Sequence, residues 1–135
     1  MPLAGQILHH KDFEFLDGQK GNKYIIVLNT SDDDKSCLCI KTTSQSRRYP
    51  RATPGCNSNK CIFLILKECE QDFQMDTYVQ LDYIYSVNVK EQLDNKQVTF
   101  KGHLTKECLN NLKRCLRNFR DDIPLNYWQI IYSSK

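Results

Sequence analysis

A short polar stretch from residue 41 to residue 51 concentrates side chains that bind phosphate. It reads KTTSQSRRYPR and contains four cationic side chains, four serine and threonine hydroxyls, one amide and no acid. Hydroxyls donate hydrogen bonds to phosphate oxygens, arginine binds them in a two-point fork, and tyrosine offers a face for an unstacked base. Composition alone favours a polar, solvated hairpin loop after a buried strand. The alternative is a surface that binds a phosphate-containing strand.

The composition of the whole chain limits these alternatives. The chain has 135 residues, 40% of them hydrophobic and 26% charged, which is typical of one ordinary globular domain. The formal net charge is only +3. No global basic field therefore indicates nucleic acid, and any such binding must come from local clustering.

The cysteine usage favours a reducing compartment. There are seven cysteines, an odd number, and the first residues lack the charged and apolar segments of a secretory signal. We therefore predict free thiols and a cytoplasmic location. Half a zinc site at Cys56 and Cys61, with Cys69 as a third ligand, is an alternative to loop and core thiols. The longest apolar run, residues 61–66, is too short to cross a membrane, so we expect no membrane anchor.

Short runs of β-branched and aromatic residues predict strands through most of the chain, separated by turn residues at 17–18, 21–22, 29–32, 54–55 and 57–59. The predicted strands are 6–8, 13–15, 23–28, 36–40, 61–66 and 78–81, with weaker strands at 85–89 and 97–100.

The hydrophobic period changes at Leu104. From there to Phe119 apolar residues recur every three or four positions, which predicts a helix with Thr105 as its N-cap and its end before Pro124. The aromatic segment 125–132 is predicted to return as a strand or to cover an interface. The predicted fold class is therefore mainly β of the α+β type, a small SH3-like antiparallel β-barrel with a late helix.

The sequence CLCIKTTSQS at residues 37–46, followed by RRYP at 47–50, resembles the third-strand signature of MazF/PemK toxins. These toxins are ribosome-independent messenger-RNA endoribonucleases of bacterial toxin–antitoxin modules. The likeness extends in order to residues 5–8, 21–28, 81–87 and 102–105. It implies a PemK/CcdB-like version of the small barrel with a C-terminal helix, and a single domain over residues 1–135 in which 120–135 is a C-terminal extension.

The resemblance implies a sequence-selective cleavage of single-stranded RNA that needs no metal and no other cofactor. The ribose 2′-hydroxyl attacks the adjacent phosphorus and leaves a 2′,3′-cyclic phosphate. Thr43 matches the catalytic threonine of the family, whereas Lys23 stands where the family has a catalytic arginine. The substrate-binding residues implied by the resemblance are Lys41, Ser44, Gln45, Arg47, Arg48, Tyr49 and Asp82.

The resemblance also implies two protein partners: a second copy of the chain in a homodimer, and an acidic antitoxin that folds into the basic groove. Lysine lacks the planar fork of arginine. The alternative is therefore a catalytically inactive PemK-like module that binds nucleic acid or protein on the same fold. A gyrase poison like CcdB, which shares the fold, is a third alternative.

Overall fold

A computed structural model describes residues 3–14, 18, 20–30, 36–70 and 72–133. The predicted turn residues at 17 and 31–32, and the end of the predicted strand 13–15, lie outside the described residues. The strands of the described part are β1 (Gln6–Glu14), β2 (Lys20–Val27), β3 (Ser36–Thr43), β4 (Gly55–Asn57), β5 (Ile62–Ile65), β6 (Thr77–Gln80), β7 (Tyr85–Asn88) and β8 (Val98–His103). The helices are α1 (Val89–Asp94), α2 (Lys106–Leu116) and α3 (Leu125–Ser133), with 3-10 turns at Ser46–Arg48, Ser58–Lys60 and Arg117–Asp122.

The strands form one antiparallel sheet in the order β4-β5-β6-β3-β2-β1-β8, and β7 pairs with β3 beside this path. Strand β3 pairs with β2 along one edge. Its other edge is shared, because β7 pairs with Ser36 to Cys39 and β6 pairs with Thr42 and Thr43. The mainly β, α+β class is thus confirmed. The sheet is not closed, so the SH3-like barrel stays a prediction.

The central parts of β1, β2 and β3, residues 7–8, 25–27 and 37–40, are buried on both faces of the sheet. Their alternate residues Ile7, Ile26 and Ile40 belong to a main core that α2 and α3 cover. The sequence neighbours of these isoleucines, such as Leu8 and Ile25, face a second core, which also contains Val87 of β7 and Val89 of α1. Complete burial of an aliphatic side chain stabilises the fold by about 1.5–3 kcal/mol. These continuous apolar strands therefore hold the centre of the sheet in place.

Helix α2 begins at the predicted cap. The Thr105 hydroxyl accepts a hydrogen bond from the backbone N–H of Cys108 (3.2 Å), which satisfies a donor in the first turn. The buried Glu70 carboxylate accepts from both the N–H and the hydroxyl of Thr105, each at 2.8 Å. The helical region ends, as predicted, with extended backbone at Ile123 before Pro124. The start of α2 is therefore fixed to the loop that precedes β6.

The C-terminal segment corrects the prediction of a last strand, because it forms helix α3. Pro124 needs no N–H at a helix start, and its carbonyl accepts the first helical hydrogen bond from the Trp128 N–H (2.9 Å). Ile131 is fully buried in the main core, so it is not part of an exposed apolar surface. Leu125 and Ile130 remain exposed.

The prediction that all thiols are free is wrong for one pair. A disulfide joins Cys56 of β4 to Cys115 of α2, across a sequence separation of 59 residues. The other five cysteines are free thiols. The zinc alternative fails as well, because its ligand Cys56 is bonded to sulfur. The disulfide could not be predicted from the sequence, because residues 54–59 have the composition of turns. In the structure, Gly55–Asn57 instead forms β4 and pairs with β5. The cytoplasmic location stays a prediction.

The helices of the fold are short. No helix in the described part of the chain is long and apolar enough to span a bilayer.

Replacing both Cys56 and Cys115 with alanine should lower the free energy of unfolding by about 2–4 kcal/mol, because the bond constrains the unfolded chain. Chemical denaturation without reductant measures this change, and Cys69→Ala, at an exposed free thiol, is the matched control. Unfolding the wild-type protein without reductant should release five reactive thiols. Release of all seven would contradict the assignment.

Candidate functional site

A cleft of about 420 Å³ lies where β3 leaves the sheet beside β2. The β2–β3 register pairs Ile25 with Lys41, and its continuation brings Lys23 level with Thr43. Residues 22–24 and 42–45 line one part of the cleft, and residues 72–75 with Thr77 and Lys101 line the rest. The structure therefore brings together four side chains that the sequence analysis had selected: Lys23, Thr43, Ser44 and Gln45.

The two neighbouring threonines at the end of β3 have different roles. The Thr42 hydroxyl donates a hydrogen bond to the carbonyl oxygen of Tyr24 (2.9 Å), so its proton is used within the sheet. The Thr43 hydroxyl oxygen accepts from the backbone N–H of Gln45 (3.2 Å). That bond fixes the Thr43 oxygen and leaves its proton to donate. Because Thr43 lines the cleft, it can donate to a ligand oxygen there.

Lys23 lies in a region of concentrated positive charge. Burial lowers its pKa from the ordinary value of 10.5, and the charges of Lys41 and Arg48 lower that pKa further. The pKa of Lys41 is also lowered, first by burial, while Asp82 acts to raise it and Arg48 to lower it. Like charges that are partly removed from water repel each other strongly. A bound anion would relieve this repulsion.

A hydrogen-bonded chain fixes the basic loop that follows the cleft. The Lys41 ammonium donates to the Gln80 amide oxygen (2.8 Å), and the Gln80 amide nitrogen donates to the Tyr49 hydroxyl (2.9 Å). The Tyr49 ring stacks on Tyr78 of β6 with centroids 5.5 Å apart. The Arg48 guanidinium lies 6.0 Å from the centroid of the Tyr49 ring. These contacts hold Lys41, Arg48 and Tyr49 beside the cleft, although they do not line it.

Two predicted substrate-binding residues lie outside this arrangement. Arg47 is exposed in the turn Ser46–Arg48 and is not part of the cleft lining. Asp82 lines a different cleft of about 210 Å³ with Asp122 and Tyr127. It acts on the site only through its electrostatic effect on the pKa of Lys41.

One part of the cleft lining was not predicted from the sequence. Asp72 belongs to this part, and its Oδ2 accepts a hydrogen bond from the backbone N–H of His103 (3.0 Å). A Cβ at Gly102 would come within 2.3 Å of the Asp72 Cγ, so glycine at this position makes room for the carboxylate. Lys101 lies over the Tyr24 ring at 5.8 Å. Gly102 lies just beyond the predicted strand 97–100, whereas in the structure it is inside β8, where a glycine often marks a close approach.

The chemistry of the cleft comes from amine, hydroxyl, amide and carboxylate groups. Among the described residues, no group of three or more histidine, cysteine, aspartate or glutamate side chains is arranged to hold a metal ion. The arrangement can hold a phosphate against Lys23 and Thr43, and the Asp72 carboxylate lines the same cleft.

No model of a known protein family matches the chain, and no curated protein matches it. The likeness to MazF/PemK toxins therefore stays a prediction from the motifs in the sequence.

We predict that Arg48→Gln raises the pKa of Lys23 toward 10.5, because it removes one of the repelling charges. NMR titration of lysine side chains labelled with ¹³C and ¹⁵N measures this pKa. Arg114→Gln, at an exposed arginine on α2, is the control and should leave the Lys23 pKa unchanged. An unchanged value in Arg48→Gln would mean that the two charges do not interact.

Proposed function

We propose that the chain is a metal-independent endoribonuclease of the MazF/PemK toxin type, which cleaves single-stranded messenger RNA at selected sequences. One observation carries the proposal: Lys23 and Thr43, chosen by motif from separate strands, line the same cleft with Ser44 and Gln45. The positive potential from Lys41 and Arg48 supports a polyanionic substrate.

In the proposed reaction, the ribose 2′-oxygen forms a bond to the adjacent phosphorus and the bond from phosphorus to the 5′-oxygen breaks. The Asp72 carboxylate, which keeps Oδ1 as an acceptor beside its bond to His103, takes the 2′ proton. The Thr43 hydroxyl donates to a non-bridging oxygen as negative charge develops on it. The Lys23 ammonium stabilises the same charge, and solvent water gives a proton to the leaving 5′-oxygen. The products are a 2′,3′-cyclic phosphate and a 5′-hydroxyl.

The residues around this centre hold the RNA strand. Ser44 and Gln45 line the cleft and are exposed. Their hydroxyl and amide groups can form hydrogen bonds with phosphate oxygens and with base edges. Lys41, Arg48 and Tyr49 bind the flanking nucleotides through charge and stacking. For Arg47 and Asp82, which do not line the cleft, substrate binding rests on the resemblance alone.

The proposal includes a PemK/CcdB-like, SH3-like barrel, a homodimer and an acidic antitoxin. The central position of β3 and the packing of α2 on the sheet support this version of the fold. The exposed Leu125 and Ile130 support contact with a second copy. The basic loop suits an acidic segment as an inhibitor.

A second candidate function is a catalytically inactive module that binds RNA in the same cleft. The specific observation in its favour is Lys23, because lysine supplies charge without the two-point fork of arginine. Cleavage assays with variants separate the two functions.

Thr43→Ala should lower the rate of RNA cleavage in EDTA by roughly 10²–10³-fold, since it removes one donor to the developing charge. Its affinity for RNA should fall much less, because Arg48 and Lys41 still bind phosphate. Thr99→Ala, at an exposed threonine of β8, is the matched control and should cleave at the wild-type rate. Asp72→Asn keeps an acceptor for His103 and should also cleave slowly.

The substrate supplies a second control for this prediction. RNA with deoxyribose at the scissile nucleotide should bind and stay intact, because it lacks the attacking hydroxyl. If the wild-type protein binds varied RNA sequences without cleaving them, the nuclease proposal fails and the inactive binding module is favoured.

The pH dependence tests the role of Lys23. If its ammonium acts in cleavage, the rate falls as the pH rises through its pKa, which lies below 10.5. Lys23→Arg should keep the activity and lose this decline, because arginine stays protonated throughout the range. Lys23→Ala should abolish cleavage at every pH. Initial rates against pH, corrected for hydrolysis without enzyme, measure the effect, and identical declines in wild type and Lys23→Arg would exclude this role.

A further inference from the structure

A second basic cleft, of about 290 Å³, lies between α2 and α3. Three cationic side chains line it: Lys113, Arg114 and Arg117. Asn110 and Tyr132 add polar groups. It shares no lining residue with the Lys23–Thr43 cleft, and none of its residues belongs to the motifs that resemble the toxin signature.

Aromatic rings of α3 hold one arginine of this cleft, Arg117, in a fixed position, and they hold the nearby Arg120 as well. The Arg117 guanidinium lies 4.2 Å from the centroid of the Tyr132 ring and 5.9 Å from that of Trp128. Arg120 lies 5.1 Å from the Trp128 centroid. Such stacking orients a guanidinium plane, and its N–H edges stay able to bind an anion. Because guanidinium groups already cover these rings, the surface is suited to phosphates rather than to stacked bases.

The acidic residues of this region lie toward its ends. Glu107 is in the first turn of α2, seven residues before Arg114, which is roughly 10 Å along the helix axis. Asp122 lines a separate cleft with Asp82 and Tyr127, and Asp121 is exposed in the turn Arg117–Asp122. Burial and the charge of Arg117 lower the pKa of Lys113, which reflects repulsion between the cations.

The disulfide ties this basic helix to the basic loop of the first cleft. Cys115, which follows Arg114 directly, is bonded to Cys56. The Asn118 amide nitrogen also lies 3.6 Å from the Cys56 sulfur. Arg51 precedes Cys56 by five residues, so their Cα atoms are at most about 18 Å apart. The two basic surfaces therefore belong to segments that are held together covalently.

We propose that the cleft lined by Lys113, Arg114 and Arg117 is a second phosphate-binding site for single-stranded RNA. It binds the backbone of the strand that enters the Lys23–Thr43 cleft and does so without regard to sequence. The identity of the polymer rests on the proposed function. The cleft has room for a phosphate group with several waters, because a water molecule occupies roughly 30 Å³.

Binding of a fluorescent, fully 2′-O-methylated RNA, measured by anisotropy at several salt concentrations, tests this site. Arg114→Gln should weaken binding roughly three- to tenfold and reduce the slope of log affinity against log salt by about 0.7 for each phosphate that the protein no longer neutralises. The effect should be equal for RNAs of different sequence. Arg114→Lys should keep most of the affinity. Lys106→Gln, at an exposed cation in the first turn of the same helix, should match the wild type.

The outcomes separate this proposal from the nuclease. Unchanged affinity and salt slope in Arg114→Gln would overturn the second site, whatever the cleavage rate. A glutamate-rich peptide that binds the wild type and loses affinity in Arg114→Gln, while RNA binding does not change, would also overturn it in favour of an acidic protein partner. Weakened RNA binding in Arg114→Gln without any cleavage by the wild type would support the site and contradict the nuclease alone.

Discussion

The position of the candidate site depends on strand β3 being hydrogen-bonded along both edges. Strand β2 pairs with it on one side, while β7 and then β6 pair with it on the other. The partner changes between Cys39 and Thr42, and the chain leaves the sheet just after Thr43. A register slip of one residue would exchange the two faces of β3. Ile40 would leave the main core, and Thr43 would lose its place in the cleft.

The sequence predicted the parts of this arrangement that follow from local patterns. The cores of β2, β3 and β5 are continuous apolar runs, and the Thr105 cap with its apolar stripe predicts α2. Helix α1 was missed although its signal was present: Asn88 caps the N–H of Glu91 (3.1 Å), at the spacing of a capping box. For segment 125–132 a strand or an interface cover was predicted, and the strand was wrong because aromatic and β-branched residues favour strands only where a sheet edge accepts them.

Only part of the candidate site could be predicted from the sequence, because tertiary packing brings its remaining residues together. Thr43, Ser44 and Gln45 are adjacent in sequence, and Lys23 was found through the resemblance. Asp72 and Lys101 come from distant segments that tertiary packing brings to the same cleft. The disulfide between Cys56 and Cys115 also depends on packing, since β4 is only three residues long.

The net charge of the chain is only +3, so it does not indicate the cluster of positive charge at the site. Lys23, Lys41 and Arg48 repel one another, and this repulsion opposes folding. The partner that fixes Lys41 is the neutral amide of Gln80, not a carboxylate. The bond to Gln80 therefore fixes Lys41 without neutralising its charge, and the charge of Asp82 opposes the lowering of the Lys41 pKa only in part. A bound polyanion would relieve the repulsion between these cations and so stabilise the folded protein. The destabilising repulsion is therefore consistent with the proposed function.

The end groups of the RNA fragments test the central claim most directly. Single-stranded RNA is incubated with the wild-type protein in EDTA, and the fragments are analysed by mass spectrometry. Attack by the 2′-hydroxyl beside Thr43 and Lys23 predicts a 2′,3′-cyclic phosphate on each upstream fragment and a 5′-hydroxyl on each downstream fragment. Fragments that end in a 3′-hydroxyl, or RNA that stays intact, would contradict the account.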